Sequence, residues 1–257
     1  MRNIPFVVIT IALILGCSNQ KNKTELNVMS SGWFTAAYQI FSSQFMVQNK
    51  VRLNTVYGAS IGGAPSSIPA RLERNEPADL VILAKEGMEK LIEGGYIIPK
   101  SKVELAASII GMAVRAGQPL PDISSVEHFK SVLLKANSIA YSASTSGTYL
   151  STELFQKLGI ANLIKDKCIR VEGERVGSVV SRGEAEIGFQ QVSELLPIPG
   201  ITYVGPIPKE VQYITTYSVA ITANCKNVKR AREFIDYITS PQAAEVITKT
   251  GLEPKNR

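Results

Sequence analysis

Residues 26–37 read LNVMSSGWFTAA, and this stretch decides the fold class. Residues 26–29 are a short apolar run typical of a buried strand. From residue 33 to residue 47 apolar side chains recur at i, i+3, i+4 and i+7, which predicts a helix. The turn between them consists of Ser30, Ser31 and Gly32. A strand, a small polar turn and a helix in this order are typical of an α/β sheet.

Two further predicted strands run into helices through turns of the same composition. They are the strands at 51–57 and 138–142, the helices at 65–74 and 148–158, and the turns containing Ser60 and Gly62, and Ser144, Ser146 and Gly147. Ligands of open α/β sheets lie beyond the carboxyl ends of the strands, where these turns are. The three turns therefore predict one shared site.

The chemistry of these turns favours an anion. The first turn of a helix leaves backbone N–H groups without partners and carries a positive partial charge. Glycine lets a ligand approach the backbone, and a serine hydroxyl adds a donor, so several converging helix starts can hold an anion. The alternative for each turn is that its serine only caps the helix.

Three larger polar side chains are weaker candidates for the same site. Gln190 ends a predicted strand at 187–190 and Gln191 follows it, and Arg175 opens a helix after Gly173. A surface role for each is the alternative. The chain has a single histidine, His128, and no close cysteine spacing, so we expect neither a metal nor another cofactor, and we assign no catalytic residue.

The first residues predict export. Arg2 precedes an apolar run from Phe6 to Leu15, which is too short to span a bilayer and is typical of a secretory signal. The sequence Ile-Leu-Gly-Cys at 14–17 resembles a bacterial lipobox, which implies cleavage after residue 16 and lipidation of Cys17. The polar segment 17–24 then predicts a tether, and the protein is expected in the periplasm or at the cell surface, lipid-anchored to the membrane.

Composition limits the partners. The net charge of +6 comes from scattered lysines and arginines without a long basic run, so a nucleic-acid partner is not expected. The basic balance is compatible with a small anionic ligand, and we expect a monomer. Two local predictions concern the middle of the chain: one long strand over 105–114, and a helix opened by a capping box from Ser124 to Glu127.

Longer motifs resemble the molybdate-binding-like periplasmic solute-binding proteins, the type II two-lobed receptors of ATP-driven importers. The matching stretches are LERNEPADL at 72–80, GTY at 147–149, QKLG at 156–159, RGEAEIG at 182–188 and FIDYITSPQAA at 234–244. The resemblance implies an α/β, two-lobed periplasmic-binding-protein type II fold with the ligand cleft between the lobes. It implies lobe one over 25–106 plus 210–257 and lobe two over 107–209. Cys168 and Cys225 would then lie in different lobes, which favours two free thiols.

The turns depart from the family pattern. Gly32 stands at the family's first-loop serine, with Ser31 as a substitute, and Gln190 or Gln191 replaces a tyrosine that often touches the oxyanion. Longer amides and a glycine-rich second loop favour a carboxylate or larger anion over a compact tetrahedral one.

Two functions follow from the resemblance. The first is an extracytoplasmic substrate-binding lipoprotein that delivers a small anion, an oxyanion or an organic carboxylate, to the permease of an ABC-type importer. The second is an enzyme like aconitate isomerase, which has a similar scaffold. Isomerisation needs a proton-transfer group beside the substrate, for which Tyr149, Glu174 or a lysine are the candidates.

Overall fold

The computed structural model describes residues 24–255, and they form two lobes, each built around its own β-sheet. The predicted signal sequence and the predicted lipidation of Cys17 lie outside the described residues. Of the predicted tether only Thr24 is described, and it already belongs to the first strand. No helix within residues 24–255 is long and apolar enough to cross a membrane.

The strands are named β1 to β11 in chain order. They are β1 (Thr24–Ser30), β2 (Val51–Tyr57), β3 (Leu80–Ala84), β4 (Val103–Ser108), β5 (Ile110–Arg115), β6 (Ile139–Ser142), β7 (Cys168–Val171), β8 (Ile187–Gln191), β9 (Ile201–Pro206), β10 (Thr215–Ile221) and β11 (Glu253–Pro254). The sheet of the first lobe has the order β11-β4-β10-β3-β1-β2, and that of the second lobe has the order β7-β6-β8-β5-β9.

The helices are named α1 to α11. They are α1 (Thr35–Asn49), α2 (Ile68–Glu73), α3 (Lys85–Glu93), α4 (Val126–Lys135), α5 (Thr145–Tyr149), α6 (Phe155–Lys157), α7 (Ala161–Ile164), α8 (Val176–Ser181), α9 (Val192–Leu195), α10 (Val228–Ile238) and α11 (Ala243–Lys249). Short 3₁₀ helices cover Gly32–Phe34, Lys165–Lys167 and Lys209–Val211, and a π-helical turn at Leu150–Leu154 joins α5 to α6.

Parallel pairing brings the ends of several strands together. In the first sheet β1 pairs in parallel with β2 and β3, and in the second sheet β6 pairs in parallel with β7 and β8. The carboxyl ends of parallel neighbours lie at the same edge of a sheet. Each lobe therefore presents a row of strand ends and their following turns, as the sequence predicts.

Helix α1 shows why the first lobe holds together. The apolar spacing predicted for it places Tyr38, Phe41 and Phe45 on one face, and all three are buried. The ring of Phe45 lies edge-on to that of Phe234 in α10, with centroids 5.0 Å apart. Full burial of such a side chain stabilises a fold by about 1.5–3 kcal/mol, so this aromatic cluster is a large part of the core.

The single strand predicted over 105–114 is wrong. The apolar run forms two strands, with β4 paired to β10 in the first sheet and β5 paired to β8 and β9 in the second. The chain crosses between lobes at Ile109, without a glycine or proline to mark the break. It returns over residues 207–214. The domain boundaries predicted above stay a prediction.

Two helix starts also differ from the prediction. Helix α4 is capped by Ser125, whose Oγ accepts from the backbone N–H of His128 at 3.2 Å, so the cap lies one residue after the predicted Ser124. Helix α2 begins at Ile68 instead of residue 65, because Ser67 caps it and accepts from the N–H of Ala70 at 3.4 Å. Cys168 and Cys225 are free thiols.

Candidate functional site

A cavity of about 410 Å³ lies where the strand ends of the two lobes face each other. It contains most of the predicted site residues. These are Ser31, Gly32, Ser60, Gly62, Ser144, Arg175 and Gln190. The other predicted residues, Ser30, Ser146, Gly147 and Gln191, do not line it. We call this cavity the cleft.

The first turn places Ser31 and Gly32 at the cleft. The backbone N–H of Ser31 donates to the carbonyl of Ile82 at 2.8 Å, and its hydroxyl lies 3.3 Å from the same oxygen. Ser30 is fully buried, and its hydroxyl donates to the carbonyl of Ser31 at 3.2 Å. Only the second serine and the glycine of this turn can therefore meet a ligand.

The second turn is used differently from the prediction. Ser60 is nearly fully buried, and its Oγ accepts from the N–H of Ala84 at 2.9 Å. Ala84 is the N-cap residue of α3, so Ser60 satisfies the start of that helix and not of α2. Gly62 has φ of +100° and open space where a side chain would be, so the loop leaves room at the cleft wall.

The third turn divides its residues between the cleft and the lobe interior. Ser144 is the N-cap residue of α5, and its side chain makes no capping bond. Ser146 is buried away from the cleft. A β-carbon on Gly147 would overlap the carbonyl oxygen of Ser142, so this glycine lets α5 pack against the end of β6. Its role is packing and not approach of a ligand.

Arg175 and Gln190 bring a cation and an amide to the second-lobe wall. Gln190 is buried, and its Oε1 accepts from the backbone N–H of Val176 at 2.8 Å. Gln191 points away from the cleft, because successive residues of a strand face opposite sides. Its Nε2 donates to Oγ1 of Thr215 in the first lobe at 3.0 Å, which joins the lobes.

The sequence did not identify Glu194. This residue of α9 lines the cleft, and its carboxyl reaches the first lobe, where a β-carbon on residue 32 would overlap its Oε1. Burial raises the pKa of Glu194 to about 7, although the charge of Arg175 and a hydrogen bond from Gln190 lower it. The carboxyl can therefore hold or release a proton near neutral pH.

Aromatic side chains form one wall of the cleft, and the sequence did not identify them either. Trp33 and Tyr217 are buried and stacked, with ring centroids 3.7 Å apart. Burial raises the pKa of Tyr217 well above its ordinary value, and the neighbouring carboxylates of Glu194 and Glu86 add to the effect. Tyr57 also lines the cleft and is partly exposed. These rings favour a ligand with some carbon surface.

The other candidates for proton transfer are engaged elsewhere. The Tyr149 hydroxyl donates to the carbonyl of Val211 at 2.9 Å. Glu174 lines the cleft, but its carboxylate is paired with Arg182 at 2.8 Å, and hydrogen bonds from Arg182 lower its pKa. His128 pairs with Asp122 on an exposed part of α4, 2.7 Å away.

The cleft thus brings together groups suited to an anion and a carboxyl that titrates near neutral pH. It combines the guanidinium groups of Arg170 and Arg175, serine hydroxyls, glycine backbone groups and one carboxyl with a raised pKa. Within residues 24–255 no group of three or more acidic, histidine or cysteine side chains is arranged to hold a metal ion.

Comparison with known proteins gives a consistent result. The family described as "Bacterial extracellular solute-binding protein" matches residues 26–253. Aconitate isomerase from Pseudomonas sp. is 42% identical over 231 residues, which is 90% of this chain and 88% of that protein. Molybdate-binding protein ModA of Escherichia coli is 26% identical over 243 residues, 90% of each chain.

Solved structures share the two-lobed fold. The periplasmic molybdate-binding protein of Azotobacter vinelandii superposes with a TM-score of 0.72 at 21% identity, covering 88% of this chain and 98% of that one. The predicted fold class is confirmed.

Proposed function

This chain belongs to the bacterial extracellular solute-binding protein family, and we propose that its cleft binds a small organic anion with two or three carboxylates. The observation that carries this proposal is the cleft of about 410 Å³, in which Arg175 faces the glycine and serine turns of the first lobe. A guanidinium binds a carboxylate through two parallel hydrogen bonds, and serine hydroxyls and backbone N–H groups can serve the others.

The size and lining of the cleft support an organic anion over a compact tetrahedral one. The serine of the second turn is used to cap α3, and Gly62 leaves its loop open. The exposed ring of Tyr57, beside the stacked Trp33 and Tyr217, offers apolar surface that a tetrahedral oxyanion cannot contact. A chain of three to six carbons bearing carboxylates suits both features.

We further propose that the bound anion is isomerised, with aconitate as the first substrate to test. The family relative named for this activity is 42% identical over nearly its whole length. Glu194 supplies an ionisable carboxyl inside the cleft, which proton transfer needs and simple capture of an anion does not.

The second candidate is a receptor that delivers the same class of anion to an ABC permease. It is supported by the family match over residues 26–253 and by the predicted lipobox at Cys17. YvgL of Bacillus subtilis, which bears the name of an ABC transporter substrate-binding lipoprotein, is 25% identical over 252 residues, 93% of each chain. Either function places the protein outside the cytoplasm.

Two measurements on the purified mature protein test the proposal. Turnover of cis- or trans-aconitate is followed by ultraviolet absorbance, and unfolding is followed with aconitate, citrate, succinate, molybdate or sulfate present. We expect turnover of aconitate, and a gain of about 2.7 kcal/mol in unfolding free energy for a ligand at 100 times its dissociation constant. Stabilisation by a polycarboxylate without turnover would support the receptor, and stabilisation by molybdate or sulfate alone would contradict the carboxylate ligand.

Arg175→Ala tests the cleft itself, and Arg52→Ala, an exposed change on β2, is its control. We expect only the first to lose the stabilisation by carboxylates, because only the first removes a cation from the cleft. Equal binding by both variants would show that the ligand lies elsewhere.

A further inference from the structure

We propose that Glu194 is the residue that removes a proton from the bound polycarboxylate and returns it to another carbon, an inference that rests on the isomerase proposed above. Glu194 lies on α9, directly after β8, and its side chain extends from the second lobe to the turn at Gly32 in the first. The carboxyl therefore lies at the junction of the two lobes, where a ligand enclosed between them would be.

Gly32 makes this position possible. A β-carbon at residue 32 would overlap Oε1 of Glu194, so any larger residue would displace the carboxyl. The same turn leads into the 3₁₀ helix Gly32–Phe34 and then α1, so the carboxyl lies at the start of a long helical segment. The glycine thus provides space for an acid–base group.

Gln190 fixes the orientation of the carboxyl. The Val176 N–H donates to Oε1 of Gln190 at 2.8 Å, which leaves the amide NH₂ group of Gln190 to donate to Glu194. A base held by a second group, which is itself held by the backbone, is the usual arrangement of a positioned proton-transfer residue. Gln190 is therefore a positioning residue in this proposal.

The surroundings of Glu194 suit both directions of proton transfer. Burial disfavours the charged form, while Arg175 and Gln190 favour it, and the pKa is about 7. Tyr217, on β10, faces Glu194 from the first lobe and stays protonated, because burial holds its pKa well above the ordinary value. A general acid–base group works best when its pKa lies near the working pH.

The other acidic residues at the cleft are less suited. Glu172 and Glu174 are exposed, and Glu174 is held ionised by its pair with Arg182. A carboxylate with a lowered pKa is a weak base. Glu194 is the cleft carboxyl with a raised pKa among the described residues.

The reaction needs no oxidant or other reagent. Ionised Glu194 takes a proton from the methylene carbon next to a carboxylate, and the C–H electron pair forms a new double bond to the central carbon. The electron pair of the old double bond accepts the proton from Glu194 at the former vinyl carbon. The double bond has moved by one position, the geometric isomer can change, and Glu194 is again ionised.

Glu194→Gln tests the inference, because it keeps the size of the side chain and removes the ionisable oxygen. Glu89→Gln, an exposed change on α3, is the control. Turnover of aconitate, exchange of its methylene protons in D₂O, and binding of aconitate by calorimetry are measured for both variants and the wild type. We expect Glu194→Gln to bind aconitate but to lose at least about 100-fold in turnover and in exchange, with no loss in Glu89→Gln.

The pH profile adds a measurement that a structural role would not produce. Because Glu194 must be ionised to accept the proton, we expect kcat/KM of the wild type to fall as pH decreases below about 7. Full turnover by Glu194→Gln would overturn the inference and leave the isomerase intact. Binding of aconitate by the wild type without turnover or exchange would overturn both. A loss of binding in Glu194→Gln would show a role in affinity and also overturn it.

Discussion

The hydroxyl of Tyr213 donates to Oε1 of Glu86 at 2.6 Å, which ties the chain segment between the lobes to the start of α3. The ring of Tyr213 also stacks on that of Tyr149 from the second lobe, with centroids 4.8 Å apart. The other oxygen of Glu86, Oε2, is buried without a hydrogen-bond partner among the described residues. The hydroxyl of Tyr213 is thus an important partner of this carboxyl.

Tyr213→Phe should therefore destabilise the protein by about 1–3 kcal/mol, because it removes the donor and leaves Glu86 largely unsatisfied. Urea unfolding measures the effect. Tyr237→Phe is the matched control: its hydroxyl donates to Gln44 at 2.7 Å, but at an exposed position where water can replace it. Equal losses in the two variants would contradict the importance of this half-buried pair.

Gly147→Ala should destabilise the second lobe. A β-carbon there would overlap the carbonyl of Ser142, which is backbone and cannot move aside cheaply, so we expect a loss of about 1–3 kcal/mol or more in unfolding free energy. Gly63→Ala is the control, since a β-carbon at residue 63 meets open space. A change in ligand affinity without a change in stability would instead support the role predicted from the sequence.

Regular elements with clear periodicity could be predicted to within two residues. Strand β2 begins and ends at residues 51 and 57, where the sequence predicts, and α1 lies within two residues of the helix predicted at 33–47. The crossing between the lobes at Ile109 could not be predicted. The flanking ends of β4 and β5 are both buried, and no turn residue interrupts the apolar run. Periodicity cannot reveal which sheet a buried strand joins.

The turns of the site were predictable, but the roles of their side chains were only partly so. The sequence predicts that the turns at Ser31 and Ser144 share one site, and both residues line the cleft. The use of Ser60 to cap α3 depends on a tertiary contact with Ala84, which local sequence does not contain. Glu194 was missed for the same reason: its environment comes from Gly32 and Arg175, which are remote in the chain. The sequence held one signal for Glu194: it is an acidic residue that follows closely after a strand ending in two glutamines.

Ser144→Ala and Ser146→Ala should separate binding from packing within one turn. The hydroxyl of Ser144 lines the cleft and makes no capping bond, so its removal should weaken carboxylate binding by about 1 kcal/mol, or roughly fivefold. Ser146 is buried outside the cleft, and its removal should leave affinity unchanged. Calorimetry measures the affinity of both variants for aconitate. A larger loss in Ser146→Ala than in Ser144→Ala would place the ligand nearer the interior of the turn.

Cys17→Ser should release the protein from the membrane. The lipobox resemblance at residues 14–17 implies a lipid on this cysteine, and a serine cannot carry a thioether-linked lipid. Fractionation of cells expressing each form, with detection of the protein in membrane and soluble fractions, measures the change. Cys225→Ser, a change of a free thiol in the folded body, is the control. Membrane retention of the Cys17 variant would contradict lipidation.

The stability of the wild type should fall relative to Glu194→Gln as pH rises from about 5 to about 7. Glu194 has a folded-state pKa of about 7, above the ordinary value of 4.5, so the folded protein binds more protons than the unfolded chain between these values. Stability linked to this carboxyl is therefore fully present below about pH 4.5 and is lost as pH rises through about 7. Glutamine stays neutral, so the variant lacks this loss, and the difference should change by about 1–3 kcal/mol. Urea unfolding at several pH values measures this difference in stability, and Glu89→Gln is the control. Parallel pH curves for the wild type and Glu194→Gln would contradict the prediction. They would mean that the carboxyl is ionised at little cost, in a site more accessible to water than the cleft geometry indicates.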